Sequence, residues 1–340
     1  MGPISLLLAG SLLAGPAPAA AAAPWRPDAD EVLRLALDKP RAAYEGEFEL
    51  RTSSSPKQIV RVSFVPPGHY RREILDASGT TRMLVVSDGK TEWVYDARRA
   101  AAWKGEPADP DYKLLDPDEE YGLIERNYGL RLAGAEAVAG RRAAILEVLS
   151  RRTGKLVRRL WVARDGLVLR RIAYGEDGAE ASAMTFTRVG ASAKGGDFTF
   201  SPPAGVRVLQ SRWQPDYMGL DEAESASGLK ACLPSWLPPG YVFESVNVVP
   251  FKDAKLIHVR FSDGVDALSL FEYPRDARLR LGWSRMGRPK TVRVGGTRAR
   301  LGAAAEGKVL EWRTEEHRFV LIGSLSAESM RRVAESVQEK

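Results

Sequence analysis

The chain has 340 residues, 44% of them hydrophobic and 28% charged, with 50 Lys and Arg against 44 Asp and Glu for a net charge of +6. These values fit a globular protein rather than a disordered one, and the length leaves room for two domains that each bury a core. A single cysteine, Cys232, excludes an internal disulfide, so core burial has to hold the fold together.

The first stretch, MGPISLLLAGSLLAGPAPAAAAAP, carries an apolar run from Ile4 to Leu13, then Pro16 and Pro18, then small residues ending at Ala23. The run is short and broken by proline, so it reads as a secretory signal over residues 1–23, with a retained membrane anchor as the alternative. Export disfavours DNA as a partner.

A short helix is predicted from Asp30 to Asp38, with Asp28 or Asp30 as its N-cap and Pro40 marking its end. Alternating strands follow at 44–51, 58–65, 69–75, 82–87 and 91–96, separated by SSSP, PPG, ASG and SDGK turns short enough for antiparallel pairing. Residues 104–118 read as an acidic, Pro-rich loop, and a helix is expected from Glu119 to Asn127. Strands resume at 128–133, 143–149, 156–163, 167–174 and 182–188. In LWVARDGLVLRRIAYGEDG, residues 160–178, two runs of alternating apolar and basic residues meet at an Asp-Gly turn, which is how a hairpin with one dry face is written. The whole predicts a curved antiparallel sheet with an apolar concavity that few helices can fill.

Residues 206–228 lose the alternation and read as a linker between a first domain at 24–205 and a second at 229–340. The second unit is expected to hold strands near 241–249, 255–262, 266–273, 290–294, 297–301, 308–313 and 317–323. Its last helix, in SAESMRRVAESVQ, is capped by Ser326 and presents Met330, Val333, Ala334 and Val337 on one face. The fold class is therefore α+β.

Charge is unevenly spread. Residues 141–171 hold ten Arg or Lys against two acids, residues 275–300 nine against one, and residues 106–120 seven acids against one Lys. Such fields suit anionic partners at one surface and domain docking at another, or simply solvated strand faces. Arg158, Arg159, Arg170 and Arg171 are the candidates for anionic headgroups.

No nucleophile elbow, phosphate loop or dinucleotide fingerprint occurs, and no carboxylate pair lies where its pKa would be shifted for catalysis, so no enzyme and no cofactor is expected. His69, His258 and His317 lie in different segments without a second ligand at zinc-like spacing, so no metal site is expected either. Cys232 reads as a buried small hydrophobe or a reactive thiol. Instead there are large apolar residues on strands. Leu84 with Val86, Trp93 with Tyr95, Leu160 with Val162 and Leu167 with Leu169 share faces by parity, as do Phe48 and Leu50, and Trp103 stands nearby. Each can pack a core; as a set they are the candidate ligand-binding wall of a cavity.

These segments resemble the RseB/MucB family of periplasmic regulators of the envelope-stress sigma factor pathway. The likeness runs through Asn127-Tyr128, VAGR at 138–141, the Leu160-Trp161 strand start and GLVLR at 166–170, with DEVLRLALDKPRAAYEGEFEL before them. LPPGYVF, FSDGVDALSLFEY and IGSLSAESMRRVAESV extend it through the second unit. The resemblance implies a periplasmic protein whose N-terminal domain is a LolA/LolB-like half-barrel with an apolar cavity. It further implies a C-terminal domain that binds the periplasmic segment of a membrane anti-sigma factor, with amphiphiles such as lipid, lipopolysaccharide or lipoprotein acyl chains releasing it. A second copy of the chain is a further partner compatible with this reading. The alternative is a lipid or lipoprotein carrier built on the N-terminal sheet alone.

Overall fold

The structure is a computed structural model that describes residues 25–38, 40, 42–52, 55–107, 115–191, 197–210, 219–251, 254–277, 289–304 and 307–338. The signal segment expected at 1–23 lies outside the described residues. No helix among those described is long and apolar enough to cross a membrane.

The first domain begins with α1, Ala29–Leu37, whose N-cap Asp28 accepts from the Glu31 N–H at 2.7 Å. Six strands follow: β1 (Tyr44–Thr52), β2 (Ser55–Val65), β3 (His69–Leu75), β4 (Thr81–Asp88), β5 (Glu92–Asp96) and β6 (Ala101–Gly105). Next is α2, Pro117–Asn127, started by a reciprocal capping box between Asp116 and Glu119. Five more strands complete the set: β7 (Tyr128–Val138), β8 (Arg141–Ser150), β9 (Leu156–Ala163), β10 (Val168–Tyr174) and β11 (Glu180–Ala191). They form one open antiparallel sheet in which β1 pairs with β11, bringing the two meanders side by side.

The stretch expected as a linker carries structure. Residues Arg207–Gln210 form β12, which pairs parallel with β6 and extends the sheet to twelve strands. Helix α3, Leu220–Ser227, packs its fully buried Ala223 into the second core. Composition hid both, because β12 is set by its neighbour and α3 buries only a narrow stripe.

The second domain is a seven-stranded sheet, ordered β13 (Val242–Phe251), β14 (Ala254–Ser262), β15 (Ala267–Pro274), β19 (His317–Gly323), β18 (Gly307–Arg313), β17 (Thr297–Ala304) and β16 (Lys290–Val294). Helix α4, Ala327–Glu335, is capped by Ser326 and lays Met330, Val333 and Ala334 on one face of the sheet. The architecture is thus α+β: an open curved antiparallel sheet with few helices, followed by a smaller α+β domain.

Cross-strand register assigns the two faces of the large sheet. The inner face carries Tyr44, Phe48, Val62, Phe64, Tyr70, Arg72, Met184, Phe186, Arg171, Leu160, Val162 and Val148. Helix α1 covers one end of it, where Val32 and Leu33 pack with Leu146, Val148 and Val162. The outer face carries Arg131, Glu147 and Arg159, which meet across three strands; Glu147 accepts from Arg131 Nε and Arg159 Nε at 2.9 Å each. Burial pushes the Glu147 carboxyl upward, but the hydrogen bonds and charge of the two guanidinium groups outweigh it and hold the carboxyl below its usual range.

Candidate functional site

Helix α1 covers only part of the inner face, and the uncovered remainder forms an open cavity of about 1480 Å³ bordered on one side by the second domain. Its apolar wall comes from Tyr44, Phe48, Leu50, Phe64, Met184 and Phe186, with Leu33 and Ala36 contributed by α1. Phe48 and Phe186 face each other across β1 and β11 with ring centroids 5.3 Å apart, and Tyr44 meets Phe64 at 5.5 Å. The second domain contributes Val265, Asp266, Lys290, Leu301 and Lys308. A volume above the roughly 300–1,000 Å³ of ordinary small-molecule clefts suits a long flexible ligand.

The two domains are joined beside this cavity by the turn between β14 and β15, the Ser-Asp-Gly-Val-Asp stretch at 262–266. Asn127 at the end of α2 donates to the Gly240 and Asp263 carbonyls at 3.1 and 2.9 Å, and the Tyr128 hydroxyl donates to Asp263 Oδ2 at 2.6 Å. Arg158 on the inner face pairs with Asp266. Val265 packs into the first domain's core beside Ile124 and Tyr128. Asn127-Tyr128 and the Ser-Asp-Gly turn, read in the sequence as separate motifs, are two sides of one joint.

Burial, and then the neighbouring Asp266 carboxylate, raise the Asp263 carboxyl above its usual range. The native state therefore holds this proton more tightly than the unfolded chain. Stability from this group is complete below the ordinary carboxylate pKa of about 3.9 and is lost as pH rises through the raised native value. Asp263→Asn keeps the shape and removes the titration. In denaturant unfolding followed by Trp fluorescence from pH 3 to 8, the variant is expected to gain stability relative to the parent as pH rises. A constant difference across that range would remove Asp263 as the titrating group.

The nine expected ligand-wall residues are divided by the structure. Leu160 and Leu167 line the cavity. Val162 lies on the inner face but under α1, and Leu169 is wholly buried beside Trp161 and Ile172. Leu84, Val86, Trp93 and Tyr95 do share a face, but it is the outer one, since Val86 pairs with Trp93 while Tyr70 of the cavity pairs with Ser87. There the chain covers itself: Phe200 packs on Trp93 and Tyr95 at 5.7 and 5.4 Å, and Phe198 on His69 at 5.6 Å. Trp103 pairs with Val94 and Leu209 near the sheet edge, away from the cavity lining. The wall residues that sequence reasoning passed over, Tyr44, Phe64, Met184 and Phe186, were legible only as alternation.

The four arginines also separate. Arg158 and Arg171 face the cavity, Arg158 already paired with Asp266. Arg159 is engaged with Glu147 on the outer face, and the Arg170 guanidinium lies 4.4 Å above the Trp161 ring. Among the described residues one group of side chains could hold a metal ion, Cys232 with Glu272 and His317; strand pairing and a strap unite residues that sequence spacing keeps apart.

Fold and site together define a class: a two-domain protein in which an open antiparallel sheet and a smaller α+β domain border a cleft of mixed apolar and charged lining. Comparison with solved structures gives that class a particular form. The chain is similar to MucB in the Pseudomonas aeruginosa MucA/MucB complex, with 20% identity, 92% of this chain and 99% of that one covered, and a TM-score of 0.57. It is similar to MucB crystallised alone, at 21% identity, 92% and 98% coverage and a TM-score of 0.55. A second MucB structure, in complex with MucA(peri), matches at 20% identity, 92% and 98% coverage and 0.54. The chain is thus MucB-like in fold over both domains. No protein-family model and no curated protein sequence matches it.

Proposed function

We propose that this protein is a non-enzymatic periplasmic regulator that binds the periplasmic segment of a membrane anti-sigma factor and senses amphiphiles in the interdomain cavity, thereby controlling an envelope-stress sigma factor. The observation that carries the reading is the likeness to MucB through both domains, in structures that include MucB together with MucA. The cavity supports the sensing half. Because its wall is drawn from both domains, a bound chain touches both, and burial at about 0.8 kcal/mol per CH₂ can bias their arrangement by several kcal/mol.

Calorimetric titration with the periplasmic segments of the anti-sigma factors encoded in the same genome tests the partner. Saturable binding to one of them, weakened by an added anionic amphiphile, is the expected result. If none binds while acyl chains co-purify with the protein, the alternative of a lipid or lipoprotein carrier, which the cavity alone supports, takes its place.

The arginines give a second check. Arg171→Glu, at the cavity wall, is expected to weaken binding of an anionic amphiphile several-fold in low salt and less in high salt. Arg159→Glu, on the outer face, is expected to lower stability through Glu147 and leave that binding unchanged. Equal losses in both variants would take the headgroup away from the cavity.

A further inference from the structure

The core of the second domain holds a cluster of three polar side chains that the regulator reading does not use. Cys232 sits in the strap at 229–236 between α3 and β13, Glu272 on β15 and His317 at the start of β19. The strands pair with Pro274 opposite His317 and Glu272 opposite Phe319, which makes Glu272 and His317 near neighbours. The strap is stitched to them where the Cys232 N–H donates to Glu272 Oε2 at 2.9 Å. Cys232 Sγ then lies 3.9 Å from His317 Nδ1, and Glu272 Oε1 lies 3.2 Å from His317 Nε2.

All three residues are buried, at 1%, 1% and 5% exposure, among apolar neighbours such as Leu270 and Phe319. Placing a carboxylate, an imidazole and a thiol together in such a core is costly unless a further charge or a set of bonds compensates. One donor atom from each residue can be chosen so that all three lie within 4.8 Å of one another. Zinc bonds of about 2.3 Å to sulfur and about 2.0 Å to nitrogen or oxygen, at tetrahedral angles, place donors roughly 3.3–3.6 Å apart, so the donors have to close by up to about 1.5 Å, with His317 turning to offer the ion one ring nitrogen. Thiolate, imidazole and carboxylate are the donors that borderline divalent ions take, whereas Mg²⁺ and Ca²⁺ favour oxygen alone.

We propose that Cys232, Glu272 and His317 form a three-ligand site for one Zn²⁺ ion, which ties the 229–236 strap to the β15–β19 pair. Each residue gives the ion one atom, Glu272 through Oε1 while Oε2 keeps the Cys232 N–H, and the fourth position is left to a water or other small ligand. The site is independent of the cavity and of any anti-sigma partner, so it stands or falls separately from the regulator reading.

The test uses Co²⁺ as a spectroscopic stand-in. The full chain is refolded from denaturant with one equivalent of Co²⁺, and its absorption is recorded before and after adding Zn²⁺. A thiolate-to-cobalt charge-transfer band in the near ultraviolet, with visible bands of tetrahedral intensity that Zn²⁺ abolishes, is expected. Because the chain has one cysteine, that band assigns Cys232 without any variant. About one equivalent of Zn²⁺ should survive desalting and raise the Tm, with Mg²⁺ doing neither. In Cys232→Ala the band and the Zn²⁺-dependent rise in Tm should both disappear; if this variant does not fold, the parent's spectrum decides alone. A folded parent that binds no Co²⁺, binds it without a thiolate band, or shows equal Zn²⁺ retention in Cys232→Ala overturns the site and leaves a hydrogen-bonded polar cluster only.

Discussion

Gly264→Val is expected to pull the two domains apart. Gly264 lies at the tip of the turn that enters the first domain, with φ at +93°, and a Cβ there would stand 2.9 Å from both the Ile124 nitrogen and the Leu123 Cβ. The left-handed backbone alone costs a non-glycine residue about 1–2 kcal/mol, more with β-branching. The clash adds to this because one of its partners is backbone in α2 that cannot swing aside. Relief comes from withdrawing the turn, which also breaks the bonds from Asn127 and Tyr128 and the Arg158–Asp266 pair. A total loss of at least about 3 kcal/mol is expected at the joint. Scanning calorimetry should then show two transitions where the parent shows coupled unfolding, and small-angle scattering should report a larger radius of gyration. Gly178→Val is the control, since that glycine has φ at +81° and nothing within 4 Å of its would-be Cβ. If the two variants behave alike, the effect is backbone strain and the turn is not what docks the domains.

The elements of both domains were legible because their sequences alternate, or run apolar, between turn residues. Those at 69–75, 156–163 and 317–323 have the expected bounds, and Asp28 and Ser326 cap the helices they were expected to cap. Strand β6 was not legible. Its sequence, AAWKG, holds two fully buried alanines that carry no alternation, and its place is dictated by β5 on one side and β12 on the other. Faces were half legible. Parity correctly put Trp93 with Tyr95 and Leu84 with Val86, but which face looks inward depends on where α1 and the residues around Phe200 settle, and both are tertiary facts. The meeting of Cys232, Glu272 and His317 was beyond reach for the same reason: the contact is made by strand order and a strap, and neither leaves a spacing signature.

The division of faces leads to the other large effect, a loss of amphiphile uptake in Phe48→Asp. Phe48 points from β1 into the cavity, and its cross-strand neighbours Val60 and Phe186 offer a new carboxylate no charge. The ligand-free cavity can hold water, and such a charge can stay hydrated there. An acyl chain entering the cavity must strip that water away, at a cost of several kcal/mol. Since about 1.4 kcal/mol is a factor of ten in affinity, binding of a detergent or phospholipid probe should fall at least about 100-fold. Trp93→Asp acts on the opposite side of the same sheet. It breaks the packing against Phe200, so it should lower the midpoint of unfolding, yet the folded molecules should take up the probe as the parent does. Fluorescent-lipid titration of both variants, at a temperature where each is folded, separates the faces. Uptake that survives Phe48→Asp but is lost with Trp93→Asp would move the ligand to the outer face and empty the interdomain cavity of its role.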